Sequence, residues 1–231
     1  MHKPSAVLFD LDGTLLDSAL DFHFVINQML AQENKPPINV SQLRQQVSNG
    51  ARAMVSFAFK INPQSEEFEQ YKSRFLDNYL TYINKKSSLY PGVIELLSYL
   101  EHKHIQWAIV TNKPALYTRP ILDYFELSDR VSATICPDHV TVAKPDPQGL
   151  LLACRKMAVA AQHCWYVGDH LRDIQAGLAA GMFTVGCNYG YLNPDENSKN
   201  WGADLLIDSP MQLINAIESD SKQHSHKSGD H

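Results

Sequence analysis

Apolar residues change their spacing twice along this chain. The run Ala6-Val7-Leu8-Phe9 is continuously apolar, the pattern of a strand buried on both faces of a parallel sheet. From Asp17 to Lys86 the spacing turns helical. Phe22-Val25-Ile26-Met29-Leu30 and Phe68-Tyr71-Phe75-Tyr79 each place apolar side chains on one face of a helix. Asn34-Lys35-Pro36-Pro37 and Asn62-Pro63 separate these helices. An all-helical insert over residues 17–86 is therefore expected.

After the insert, Pro91-Gly92 opens a helix through Leu100, and strand and helix then alternate. Strands are predicted at Gln106–Val110, Ser132–Cys136, Cys164–Val167, Phe183–Gly186 and Leu205–Ile207. Helices are predicted at Leu116–Tyr124, at Gln148–Met157 behind the capping pair Asp146-Pro147, and from Arg172 to Ala180 with Gly181 as its stop. Ser209-Pro210 starts a last helix. Such alternation argues for an α/β fold with a doubly wound, mostly parallel sheet. The expected organisation is an α/β core from residues 1–16 and 87–219, the helical insert, and a disordered polar tail over 220–231.

Composition narrows the class. The 231 residues are 44% hydrophobic and 19% charged, with net charge −5. These values suit a soluble domain and leave no basic footprint for nucleic acid or an anionic membrane. No apolar run is long enough to cross a bilayer. Lys3-Pro4 leads directly into the first strand, which leaves no room for a signal peptide, so a cytoplasmic protein is expected. Cys136, Cys154, Cys164 and Cys187 lack metal-type spacing and sit in apolar runs, as reduced buried thiols do. His224, His226 and His231 of the tail read as solvated residues, with weak metal binding the alternative.

Polar residues gather at four predicted strand ends. They are Asp10-Leu11-Asp12-Gly13-Thr14, Thr111-Asn112, Lys144-Pro145 and Gly168-Asp169-His170-Leu171-Arg172-Asp173. In a parallel sheet all these ends lie on one edge, where ligands bind. Two carboxylates spaced two apart on a strand end, Asp10 and Asp12, should converge and repel, so a proton or a cation is expected between them. Several carboxylates without His or Cys favour a hard cation, Mg²⁺ above all. Asp10, Asp169 and the Asp12 backbone carbonyl are the expected ligands, with Asp173 orienting them. Lys144 and the Thr111 hydroxyl would hold phosphate oxygens. Asp10 would be a nucleophile giving an aspartyl phosphate, and Asp12 the acid and base. Taken singly, each motif has a plainer reading: a calcium loop, an ordinary strand end, a surface lysine, or acids solvated at a helix start. Their joint placement favours the shared site.

These residues, from Asp10-Leu11-Asp12-Gly13-Thr14-Leu15 to Gly168-Asp169-x-x-x-Asp173, resemble the four signature motifs of the haloacid-dehalogenase-like phosphatases. The resemblance implies a Rossmann-like core with a helical cap, Asp10 as nucleophile, Asp12 as acid/base, Thr111 and Lys144 as phosphate holders, and Asp169 as Mg²⁺ ligand beside Asp173. Caps of this kind close over the site and carry selectivity.

Within the family, Thr111-Asn112-Lys113-Pro114 and Asn49-Gly50-Ala51 resemble phosphoglycolate phosphatases. Val47 to Val55, Cys136-Pro137-Asp138-His139-Val140, Tyr189-Gly190-Tyr191 and Trp201-Gly202-Ala203-Asp204 are similar to N-acetylmuramic acid 6-phosphate phosphatases. Ser48 stands where glycine is common in the former group, and His170 where a small hydroxyl residue is frequent. Ser48-Asn49-Gly50-Ala51-Arg52 reads as a loop entering a helix, whose N-terminus suits an anion. Asn112, Asn49, Gly50 and Arg52 join Thr111 as expected substrate contacts, with Arg52 either pairing with a substrate carboxylate or solvated. A small phosphomonoester is the expected partner, handled by a monomer or homodimer. A phosphomutase would use the same two aspartates, whereas a dehalogenase would have no use for Asp12.

Overall fold

The computed structural model describes residues 3–192 and 195–225. Six strands form one wholly parallel sheet in the order β5-β4-β1-β6-β7-β8. They are β1 (Ala6–Phe9), β4 (Gln106–Val110), β5 (Ala133–Ile135), β6 (Cys164–Gly168), β7 (Phe183–Cys187) and β8 (Leu205–Ile207). β1 is central and every residue in it is buried, which is why its sequence shows no alternation.

Alternate side chains still go to opposite faces. Val7, Phe9, Trp107, Ile109, Trp165 and Val167 enter one apolar cluster, which also takes residues of α5 (Val93–His102), α6 (Ala115–Tyr124) and α9 (Pro210–Ser225). Leu8, Ala108, Val110, Cys164 and Tyr166 enter the other, with α7 (Gln148–Met157) and α8 (Leu171–Ala179). The result is three layers, helix, sheet and helix. Registers Phe9↔Ile109 and Phe9↔Val167 bring the ends of β1, β4 and β6 side by side.

The helical insert contains α1 (Ala19–Gln32), α2 (Val40–Val47), α3 (Gly50–Phe59) and α4 (Phe68–Tyr82). These helices share their own apolar cluster, with Phe22, Ile26, Met29, Leu43, Val55, Phe68 and Phe75 at its centre. The chain leaves and re-enters the α/β layers through β2 (Leu16–Asp17) and β3 (Ser88–Leu89), which pair antiparallel. Sequence periodicity does not reveal this two-residue ribbon, because it is too short to show a period.

The expected tail needs correction. α9 continues through Ser225, so the polar residues from Asp220 to Ser225 extend a helix whose buried anchors are Leu213 and Ile217. His226 and His231 lie outside the described residues. All four cysteines are buried free thiols. Among the described residues no helix is long and apolar enough to cross a membrane.

Asp21 ties the insert to its return linker. It is fully buried on α1 and accepts the backbone N–H of Asn84 (2.8 Å) and Lys86 (2.6 Å) and the Ser87 hydroxyl. The Asn84 amide in turn reaches the Pro120 carbonyl on α6 (2.8 Å). Asp21→Ala should cost about 2 kcal/mol in urea unfolding, because it strands buried donors. An unchanged midpoint and slope would show that the linker is held by other means.

Candidate active site

The site is built where β1, β4 and β6 end. After Phe9 the chain turns tightly: the Asp10 N–H binds the Val167 carbonyl (2.9 Å), and the N–H groups of Leu15 and Leu16 fold back on the Leu11 carbonyl (3.0 and 2.9 Å). Gly13 sits at φ +85°, and a Cβ there would lie 2.0 Å from Asp169 Oδ2. Only glycine permits that approach of the first loop to the fourth.

Asp10 and Asp12 turn to different partners. Each has its own lysine. Asp10 Oδ1 pairs with Lys144 Nζ (2.9 Å), while both Asp12 oxygens receive Lys113 Nζ (3.0 and 3.1 Å) and Oδ1 also accepts the Ser18 hydroxyl. The clustered carboxylates are instead Asp10, Asp169 and Asp173, which present oxygens within 4.8 Å of one another. The Asp12 carboxylate is not among them, which leaves its backbone carbonyl as the group it could offer a metal.

Lys144 stands at the centre. Its Nζ contacts Asp10, Asp173 (2.7 Å) and the Tyr166 hydroxyl (2.8 Å). Burial alone would lower its pKa, but Asp10 and Asp173 outweigh that and hold it above its ordinary value. Asp173 has the Tyr166 hydroxyl (3.2 Å) and the His170 N–H (3.1 Å) as further donors. Burial raises the Asp10 pKa, Lys144 opposes the rise, and Asp173 adds to it. Asp169 is pushed well above the carboxylate range, first by burial and then by Asp173 and Asp10, against one N–H from Tyr191 (2.8 Å).

The remaining expected residues divide. Thr111, Asn112, Asn49 and Gly50 line the same cavity as the aspartates. Asn112 also gives both ends of its amide to the Lys144 backbone (3.1 Å each way), which positions the lysine. Gly50, at φ +75°, starts α3 toward the cavity. Arg52 is not brought there. It points to the outer side of the insert, toward the Pro63 carbonyl (3.3 Å) and the Phe68 ring (5.4 Å). One residue along a helix turns the side chain by about 100°, which carries Arg52 off the face that Ala51 presents. His170 caps α8 by accepting the Arg172 N–H (3.1 Å), and burial together with the Arg172 charge lowers its pKa to about 4.

Three residues were not anticipated. Lys113 is buried under the rings of Phe22 and Tyr79 (4.8 and 4.9 Å) and is raised in pKa, since Asp12 and Tyr79 outweigh its burial. Its signal was a lone charge directly after the Thr111-Asn112 strand end. Tyr166 alternates inward on a strand and reads as core. Tyr191 joins the two halves: its N–H holds Asp169, while its hydroxyl accepts the N–H groups of Ser18 (2.7 Å) and Ala19 (3.0 Å) and donates to Asp17 (3.0 Å). Its mark in the sequence is the string Tyr189-Gly190-Tyr191, which carries a resemblance but no role.

A parallel α/β sheet with a buried acidic cluster at its carboxyl edge, roofed by a helical insert, defines an enzyme of the hydrolase class. Residues 7–187 match the model of the haloacid dehalogenase-like hydrolases, and the chain belongs to that family. It is 42% identical over 214 residues, 93% of this chain and 96% of the relative, to the N-acetylmuramic acid 6-phosphate phosphatase of Pseudomonas putida. It is 41% identical over 213 residues, 92% of this chain and 96% of the relative, to a phosphoglycolate phosphatase of Xanthomonas campestris pv. campestris. A crystal structure of a predicted phosphoglycolate phosphatase from Haemophilus somnus 129PT superposes with TM-score 0.83 at 29% identity, covering 94% of this chain and 99% of that one.

The donor set fits the divalent metal used across this family. It is all oxygen and buried, and the raised pKa values of Asp10 and Asp169 record burial first and carboxylate repulsion after it, both of which a cation would offset. A carboxyl raised in the folded state stabilises fully at low pH and loses that contribution as pH rises through its folded value. In EDTA at neutral pH, Asp169→Asn should therefore melt higher than the wild type, by about 2–4 °C for each kcal/mol of repulsion removed. Added Mg²⁺ should raise the wild-type Tm and leave the variant unmoved. Equal melting shifts in both proteins would remove Asp169 from the metal site.

Proposed function

We propose that this hydrolase is a Mg²⁺-dependent phosphomonoesterase working through an aspartyl phosphate, with N-acetylmuramic acid 6-phosphate as its substrate. The observation that carries the substrate is the cavity. Its volume of about 420 Å³ lies in the range that drug-sized ligands fill. Its walls on the insert side are Phe22, Val47, Met54, Phe75, Leu76 and Tyr79. The two-carbon skeleton of phosphoglycolate has nothing to set against those walls. A pyranose ring with acetamide and lactyl methyl groups does. Relatives of nearly equal identity carry the two different substrate names, so the weight falls on this geometry.

Asp10 is the group placed to attack phosphorus. It lines the cavity, and Lys144 opposes the rise that burial imposes on its pKa. Asp10, Asp169 and the Asp12 carbonyl would hold the Mg²⁺, which when bound neutralises the phosphate charge and orients it. Bond formation from Asp10 to phosphorus releases the sugar oxygen, which takes a proton from Asp12. The same Asp12 then takes a proton from the water that hydrolyses the aspartyl phosphate, restoring Asp10 and freeing inorganic phosphate. Ser18 and Lys113 fix the Asp12 carboxylate in place. Thr111 and the α3 N-terminus at Asn49-Gly50 provide phosphate and substrate contacts. Lys144, held in turn by Asn112, spreads the charge of the transferring group.

With excess Mg²⁺, a phosphate-release panel should give a higher kcat/KM for N-acetylmuramic acid 6-phosphate than for 2-phosphoglycolate, without a bisphosphate activator. The reverse order would assign the smaller acid, and a requirement for bisphosphate would indicate a mutase. Asp10→Asn should abolish release.

The Asp12 role has a separate signature. Asp12→Ala should lower kcat on an alkyl phosphate by roughly 10²–10⁴, and by much less on 4-nitrophenyl phosphate, whose leaving group needs no proton. Lys113→Met should show the same dependence on leaving group, in weaker form, because it acts through Asp12. Equal losses on both substrates would mean that neither residue governs proton transfer.

A further inference from the structure

Four cationic side chains line the cavity: Lys72, Lys113, Lys144 and Arg172. Three of them are accounted for at the catalytic end. Lys144 is buried between Asp10 and Asp173, and Lys113 is buried against Asp12. Arg172 donates its Nε to His170 Nδ1 (3.1 Å), on the residue that follows Asp169 in the chain. Lys72 stands apart. It belongs to α4, and its ionic partner is Glu69, a largely exposed side chain one turn back (2.7 Å). An exposed pair of this kind contributes little and is readily exchanged for a better partner.

The register of α4 says where Lys72 stands relative to the reaction. The cavity face of this helix carries Lys72, Phe75, Leu76 and Tyr79, the i, i+3, i+4, i+7 stripe. Tyr79 is the inner end, because its ring covers Lys113 (4.9 Å), which holds Asp12 (3.0 Å). Lys72 is the outer end, seven residues or about 10 Å back along the axis. From the catalytic end outward, the stripe therefore runs aromatic, apolar, cationic.

We propose that Lys72 is a specificity-determining residue that receives a carboxylate carried at the far end of a phosphorylated sugar. This rests on the sugar-acid reading above and adds the group that reads the acid. Phosphate sits at Asp10, the ring and its methyl groups pack on Phe75 and Leu76, and the lactyl carboxylate meets Lys72 in place of Glu69. In phosphoglycolate the carboxylate is separated from the phosphate oxygen by a single methylene, so it stays at the catalytic end. A flexible lysine on a movable roof can follow a ligand whose length varies slightly, while its charge still demands an anion.

The test pairs a variant with a truncated substrate. Holoenzyme in excess Mg²⁺ is assayed on N-acetylmuramic acid 6-phosphate and on N-acetylglucosamine 6-phosphate, the corresponding sugar phosphate without the lactyl ether. The wild type should favour the acid. Lys72→Met should reduce the ratio of the two kcat/KM values about tenfold or more, through KM for the acid, and Lys72→Arg should keep it. The ratio cancels any general loss of activity, and a thermal melt of each variant confirms folding. A wild type that favours the acid, with Lys72→Met keeping the full ratio, would overturn the Lys72 role alone. So would a wild type that hydrolyses both sugar phosphates equally. A wild type that hydrolyses neither, while releasing phosphate from phosphoglycolate, would overturn the substrate reading and this proposal with it.

Discussion

The Lys144 ammonium, buried between Asp10 and Asp173, is the interaction on which the rest of the site depends. Three carboxylates within 4.8 Å in a buried setting repel one another strongly. One lysine offsets part of that charge and leaves an acidic excess that suits a hard divalent cation. Its position is over-determined. Asn112 clamps its backbone from β4, Tyr166 supports its Nζ from β6, and Asp173 receives it from α8. Removing one partner would leave a buried charge unpaired, which costs far more than the pair contributes. The cluster, the lysine and the sheet edge therefore form one unit.

A second ion pair, Lys113 with Asp12, separates the two strand-end aspartates by role. Asp10 faces the acidic cluster. Asp12 faces the insert, held by a lysine that lies under two of its rings and by Ser18 at the start of α1. Tyr191 adds the other link, with its N–H on Asp169 and its hydroxyl on the first N–H groups of α1. The insert is thus tied by side chains to the carboxylates on both sides of the site.

Most of the fold was legible because it rests on local periodicity. Apolar runs and helical stripes marked β1, β4 to β8, α1 and α4 to α8 close to where they are observed, whereas α2 carried no stripe and α3 showed only its entry at Ser48–Arg52. Where length was too short, the signal failed, as with the two-residue ribbon β2 and β3. Composition misled at the C-terminus: the polar residues Asp220 to Ser225 resemble a free tail, yet they continue α9, whose anchors are Leu213 and Ile217. At the site, the four strand-end motifs were readable because a parallel sheet sends all its carboxyl ends to one edge. For Arg52 the sequence left a substrate contact and a solvated position both open, and the structure turns it outward, because adjacency in sequence says little about which side of a helix a residue faces.

The sequence alone determined the sheet, the edge that carries the chemistry, and the residue types gathered there. These follow from spacing, which acts over a few residues. Only the tertiary structure decided the pairing: Lys113 with Asp12, Lys144 with Asp10 and Asp173, and Tyr191 with both Asp169 and α1. Such partners lie 22 to 173 positions apart in the chain. Packing alone selects which buried charges meet, because burial makes an unpaired charge too costly to leave and the layers dictate which partners are within reach.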